Sequence, residues 1–163
     1  MTMQKEIWAV LPQRYPLLLV DKILHMEPHK SVTAIKNVSA NENCYRGMIA
    51  GASLEAYSYP WSLVIESFAQ SAGILLNNLW EGRMATSDHI IMFGVFHDIR
   101  FYRLILPGDV MVHKVELLNG FNDSAIIGGT VTVDDELALE VERIIAVIRP
   151  KEYFEPKEGG PPW

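Results

Sequence analysis

The stretch YPWSLVIESFAQSAGILL, residues 59–76, decides how the rest of the chain is read. Pro60 suits the first position of a helix, where the missing N–H is no loss. From there apolar residues fall on most sides as far as about Leu79, and Gly82 marks a stop. A helix that is apolar nearly all round belongs inside a core, wrapped by other elements. One stripe differs. Ser62, Glu66, Gln70 and Gly73 recur at helical spacing and share a face. Within it Glu66 stands among Val64, Ile65, Phe68 and Ala69. A carboxylate in such surroundings is unfavourable unless it is paired or needed. It either faces water, or pairs with Arg100 or Arg103, or does chemistry.

Upstream, EIWAVL (6–11) is a short apolar lead-in ended by Pro12. LLLVDKILHM (17–26) and SVTAIKNVSA (31–40) read as strands. Residues 41–59, with Asn, Gly and Ser, read as a long loop with some short structure. Downstream, HIIMFGVFHDIRFYRLI (89–105), VMVHKVELL (110–118), SAIIGGTVTV (124–133) and LALEVERIIAVI (137–148) read as strands. Asp134, Asp135 and Glu136 join the last two as a hairpin turn. The expected architecture is α+β: about six strands in a curled antiparallel sheet around one long helix. Residues 1–149 form one domain and 150–163, rich in Pro and Gly, a mobile tail. The side of the helix left open and the sheet edge are expected dimer surfaces.

Composition narrows the function classes. The chain has 163 residues, 49% hydrophobic, with a net charge of −6, which fits a globular fold. Lys and Arg are scattered, so nucleic acid is not the expected partner. Cys44 is the single cysteine, so no intrachain disulfide forms. No spacing of Cys or His points to a metal, and no cofactor is expected. The apolar run at 61–76 is interrupted by polar residues, so no membrane span is expected. The opening MTMQKEIW has no basic-then-apolar pattern, so a cytoplasmic location is expected.

Several segments together resemble a known family. LPQRYPLLLVDKIL (11–24), KNVSANENCYRG (36–47), the helix stretch, and MFGVFHDIRFYRLILPGDVMVHKVEL (92–117) are similar to the bacterial 3-hydroxyacyl-(acyl carrier protein) dehydratases of the hotdog fold. The resemblance covers about residues 8–148. It implies a homodimer, or an assembly of dimers, with active sites between subunits. There a histidine of one subunit faces an acid on the partner's central helix, and a tunnel takes an acyl thioester on acyl carrier protein or coenzyme A. Glu66 matches the acid and Gln70 its support. The resemblance also implies substrate contacts at Gly51, Pro60, Trp61, Ser62, Ile65 and Phe96.

The chain departs from the family pattern where the histidine belongs. That position, directly after Gly47, is Met48. About four extra residues precede the helix, Trp61 replaces a glycine at its start, and Gln13 replaces a histidine of the opening motif. Substitutes for the missing imidazole are Glu55, Tyr57 and Tyr59 in the loop, since a tyrosine can also donate a proton or a hydrogen bond, and His97 or His89, although a histidine in a strand is more often an ordinary packed or surface residue. His25, His29 and His113 are read as residues on exposed faces. Cys44 is read as a packed thiol. Three functions remain: a dehydratase-like enzyme of fatty acid or polyketide metabolism, a hotdog thioesterase using Glu66, or a non-catalytic module that binds an acyl chain or its carrier.

Overall fold

A computed structural model describes residues 4–49, 51–83 and 88–154. Its elements in chain order are α1 (Gln4–Val10), β1 (Lys22–Glu27), β2 (Ser31–Asn37), α2 (Trp61–Leu79), β3 (His89–Phe101), β4 (Val110–Gly120), β5 (Ser124–Val133) and β6 (Glu136–Pro150). The six strands form one sheet in the order β1-β2-β4-β5-β6-β3, antiparallel throughout. The sheet curls round α2, as expected of a hotdog fold.

The helix is central because its sequence leaves no polar side wide enough to face water. Val64, Phe68, Ala72, Leu75 and Leu76 are all fully buried. They pack on β2, β4 and β5, whose inward residues include Val32, Val115 and Ile127. Each large side chain so buried contributes roughly 1.5–3 kcal/mol. Pro60 is the residue before the helix, its carbonyl accepting from the N–H of Leu63 (2.9 Å) and Val64 (3.1 Å). At the other end the Gly82 N–H reaches back to the Asn77 carbonyl (2.8 Å) with φ of 79°, a left-handed stop.

One glycine and two aspartates shape the sheet. Gly129 has φ of 148°, and a Cβ there would collide with the Lys114 carbonyl of β4. The β4–β5 close approach and the register shift between Ile127 and Gly129 depend on it. Asp134 and Asp135, both at positive φ (51° and 64°), form a two-residue turn between paired Val133 and Glu136. That conformation matches the twist of a β-hairpin.

The long loop is fastened from inside. Lys36 points into the core from β2, 6% exposed, and its ammonium meets Glu42 at 2.7 Å. The other oxygen of Glu42 accepts the Tyr59 hydroxyl at 2.9 Å. The loop carries two short 3-10 turns, Asn43–Tyr45 and Leu54–Tyr57.

Several boundaries differ from expectation. The lead-in is a helix, α1, because Ile7 and Leu11, four residues apart, both reach the core. Residues 17–21 are not strand: the Gln70 carboxamide takes the Leu17 carbonyl (2.7 Å) and the Leu19 N–H (2.9 Å) that a ladder would use. β3 ends at Phe101. β6 runs on to Pro150, and Lys151–Tyr153 form a 3-10 turn, so the first residues assigned to the tail are ordered. The rest of that expected tail, from residue 155, lies outside the described residues.

β3 and β1 are the sheet edges. β3 is broken by a register shift between Phe93 and Val95 and by Asp98 at φ of 47°, and it exposes Val95, Phe96 and Phe101. It stands off from α2, and the space between them opens the site.

Candidate active site

A cavity of about 410 Å³ lies between α1 with its following loop, α2 and the first half of β3. Its α2 wall is the stripe Glu66, Ala69, Gln70 and Gly73. Facing it are Ile91 and Phe93 from β3, with Gln13 and Arg14 above. Apolar walls with a few convergent polar groups are the usual build of a small-molecule site.

Glu66 is held by one oxygen. Its Oε1 accepts from Gln70 Nε2 at 2.8 Å and, at a long 3.4 Å, from Gln13 Nε2. Oε2 has no hydrogen-bond partner among the described residues. Gln70 is itself locked, because its two N–H groups and its oxygen are all engaged by Glu66, Leu17 and Leu19. A carboxamide four residues on, fixed by backbone through Leu17 and Leu19, thus holds one oxygen of the Glu66 carboxylate. The alternative in which an arginine neutralises Glu66 does not hold. Arg100 pairs with Glu140 (3.1 Å), and Arg103 with Glu136 (2.9 Å). Arg14 spends its guanidinium on the Leu11, Gln13 and Trp8 carbonyls.

The other expected site residues do not line this cavity. Met48 is half-buried against the core, its N–H on the Tyr45 carbonyl (3.0 Å). Tyr57 sends its hydroxyl to the Ile49 carbonyl (3.3 Å), away from Glu66. Tyr59 is wholly buried and donates to Glu42; burial, then that carboxylate, pushes its hydroxyl far up, so it is no proton donor for a substrate. His97, Gly51, Pro60, Trp61, Ser62, Ile65 and Phe96 also lie outside the cavity walls. The Trp61 ring instead packs at a tilt against Phe101, centroids 4.3 Å apart. The Cys44 thiol is raised by burial, then by Glu42, as befits a packed cysteine.

His113 corrects an expectation. It is fully buried on β4, its Nε2 3.1 Å from Ser67 Oγ on α2. Because Ser67 donates to the Val64 carbonyl (3.0 Å), His113 Nε2–H donates to Ser67, and Nδ1 is left an acceptor without a partner. Burial, then Lys36, lowers its pKa to about 3, so it is a neutral core residue. His89, weighed as a strand histidine, lines the cavity, while Gln13, Arg14, Ile91, Phe93 and Lys151 line it without having been read as site residues. Gln13 carried a signal, since it departs from the opening motif.

A family model described as a FabA-like domain matches residues 11–142. The chain belongs to the FabA-like domain family. Within it, the chain is 37% identical over 142 residues to the 3-hydroxyacyl-[acyl-carrier-protein] dehydratase FabZ of Histophilus somni, covering 87% of this chain and 89% of that protein. It is equally similar to FabZ of Proteus mirabilis, 37% over 142 residues, covering 87% and 91%. Among solved structures, the dehydratase heterocomplex ApeI:P from Xenorhabdus doucetiae superposes with a TM-score of 0.73 at 15% identity, over 91% of this chain and 93% of that one. The PaaI protein of E. coli superposes with a TM-score of 0.56 at 11% identity, over 77% and 81%. These two likenesses establish the hotdog fold. Among the described residues of this FabA-like protein, no helix is long and apolar enough to cross a membrane.

Proposed function

We propose that this FabA-like protein is a subunit of a 3-hydroxyacyl-thioester dehydratase of fatty acid or polyketide metabolism, with Glu66 as its acid–base group. The observation that carries the reading is a carboxylate clamped through Oε1 by Gln70, its Oε2 unpartnered, in a largely apolar cavity. Dehydration removes a proton from C2, breaks the C3–O bond and releases water as the C2=C3 double bond forms. One group must take the C2 proton and another must give a proton to the leaving hydroxyl. Glu66 suits the second task in its protonated form. The relatives named as dehydratases act on acyl carrier protein substrates, and the same carrier is the proposed partner here.

The first task needs a base from elsewhere. Met48, at the family's histidine position, has no proton to move. We infer a homodimer, with the exposed apolar residues of β3 at its interface and the Met48 loop of one copy facing Glu66 of the other. A His-bearing hotdog subunit in place of that second copy would complete the acid–base pair. The proposed location is the cytoplasm. A second reading, a Glu66 thioesterase, is favoured by the lack of any imidazole bonded to Glu66, because a lone carboxylate can activate water or attack a thioester.

Crotonyl, 3-hydroxybutyryl and butyryl pantetheine, each offered to pure protein, separate the readings. Interconversion of the first two without thiol release supports the dehydratase. Thiol release from butyryl pantetheine supports the thioesterase and overturns the dehydratase. No consumption of any of them, with binding retained, leaves the chain a binding module unless an added His-bearing hotdog subunit restores the interconversion.

A further inference from the structure

The two oxygens of the Glu66 carboxylate are not equivalent, and backbone atoms decide how they differ. Gln70 receives the Leu19 N–H on its side-chain oxygen (2.9 Å) and gives one of its own N–H groups to the Leu17 carbonyl (2.7 Å). A backbone N–H only donates and a backbone carbonyl only accepts, so this carboxamide has one orientation open to it. Turned over, it would set N–H against N–H and oxygen against oxygen. Gln70 is 2% exposed, and unpaired groups at such a place are costly. Its remaining N–H is therefore held on Glu66 Oε1, 2.8 Å away.

Gln13, in the loop after α1, approaches the same oxygen. Its Nε2 lies 3.4 Å from Glu66 Oε1, beyond the roughly 2.7–3.2 Å usual for an N–H···O bond. Its own Oε1 is buried without a partner. No group on that side dictates how the Gln13 carboxamide sits, so Glu66 alone turns the N–H side toward itself. Glu66 Oε2 meets no donor among the described residues. Three other charged or titratable side chains line the cavity: Arg14 from the α1 loop, His89 from β3 and Lys151 from the turn after β6. Arg14 is spent on carbonyls, and among the described residues neither of the others bonds Glu66. Gln13 stands where the family's opening motif carries histidine. An imidazole there can take a proton from Glu66, and a carboxamide cannot.

We propose that Gln70 and Gln13 are positioning residues that reserve Oε1 of Glu66 as the accepting oxygen, so that the proton Glu66 gives or takes is carried on Oε2 alone. The catalytic use of that oxygen rests on the dehydratase reading. In the protonated acid the carbonyl oxygen is the better acceptor, and two N–H groups that can only donate select Oε1 for it. The hydroxyl is left to Oε2. In dehydration Oε2–H gives its proton to the 3-hydroxyl of the substrate, and the C3–O bond breaks with its electron pair on the departing water. The C2–H pair becomes the C2=C3 bond as the C2 proton passes to the base of the second subunit, and Glu66 is left as the carboxylate. Gln13 holds no proton itself, so Oε2 has no competitor on that side.

The test is the infrared difference spectrum between the full chain and Glu66→Gln, which isolates the carboxyl group of residue 66. A carbonyl that accepts hydrogen bonds absorbs at lower frequency than a free one. At acid pH the proposal expects a lowered C=O band for the protonated acid, because the carbonyl oxygen is the bonded Oε1. At neutral pH it expects a wide separation of the antisymmetric and symmetric carboxylate bands, because one oxygen alone is bonded. In Gln13→Leu the C=O band should move up toward the free position, a shift that a merely structural role for residue 13 does not produce. A wild-type C=O band at the free position puts the proton on Oε1 and overturns the proposal. A narrow separation at neutral pH overturns it too, and that measurement needs no acid-stable fold. A band unmoved by Gln13→Leu removes Gln13 from it. Adding 3-hydroxybutyryl pantetheine tests the reading beneath: the Glu66 bands should shift on binding. Bands that ignore the thioester overturn the acid–base reading and the catalytic use of Oε2, while the bands of the free protein still decide which oxygen is held.

Discussion

At the residue scale, the buried pair of Ser67 and His113 makes a pH prediction. The His113 pKa, lowered to about 3 by burial, sits below its unfolded value near 6.5. Above pH 6.5 both folded and unfolded chains carry it neutral, and its contribution is constant. As pH falls below 6.5 the unfolded chain takes up a proton that the folded chain refuses, so stability declines by about 1 kcal/mol per pH unit until His113 itself protonates. In urea denaturation the stability gap between wild type and His113→Leu should therefore shift by roughly 1–2 kcal/mol between pH 7 and pH 5.5, at the expense of the wild type. A gap that does not change with pH would place the residue in water. The position was hard to read because β4 is apolar at both parities: Val110 and Val112 alternate with Met111 and Val115. The usable signal was the charges of Lys114 and Glu116, which must face out and so turn residue 113 inward.

Gln70 is the other residue whose role can be isolated. Gln70→Leu strands the Leu17 carbonyl and the Leu19 N–H and releases Glu66. The expected cost is about 2–4 kcal/mol for two orphaned buried backbone groups, measurable as a lowered urea midpoint. Gln70→Glu, which keeps the size but brings a second carboxyl beside Glu66, should be at least as damaging. A neutral Gln70→Leu would mean that the 17–19 segment finds other partners.

At the element scale, the central helix was legible because its apolar residues and the Glu66–Gln70–Gly73 stripe are patterns within one element. The cavity was not, because its walls come from α1, α2 and β3, and no single stretch encodes their meeting. α1 was too short to be read as more than an apolar lead-in, and residues 17–21 had strand composition while hydrogen bonds from Leu17 and Leu19 went to Gln70. Gly129 in β5 gives an element-scale prediction. Gly129→Ala sets a methyl against the Lys114 carbonyl at a left-handed φ, so it should cost more than about 3 kcal/mol or abolish soluble expression. In contrast, Asp135→Gly in the neighbouring turn should stabilise by a few tenths to about 1 kcal/mol, since glycine holds positive φ without strain. Thermal denaturation of the two variants checks both signs.

At the scale of the whole molecule, the family segments made the fold legible, and they pointed to Glu66 and Met48 as the positions to test. Among the substitutes named for the missing imidazole, Tyr59 proved to be a buried partner of Glu42, and neither Tyr57 nor His97 reaches the cavity. The account therefore assigns the second proton-moving group to another subunit. Met48→His should raise 3-hydroxyacyl-thioester turnover by at least about tenfold, short of the 10²–10⁴ of a well-placed acid–base group because the lengthened loop misplaces it. Light scattering at micromolar concentration should show a dimer or a larger assembly of dimers. The most direct measurement is hydration of crotonyl pantetheine by Met48→His and by the double variant Met48→His, Glu66→Gln. The account predicts turnover in the first and a loss of about 10²-fold or more in the second, because the amide keeps the hydrogen bonding but cannot exchange the proton. Equal turnover in both would contradict it and remove Glu66 from the chemistry.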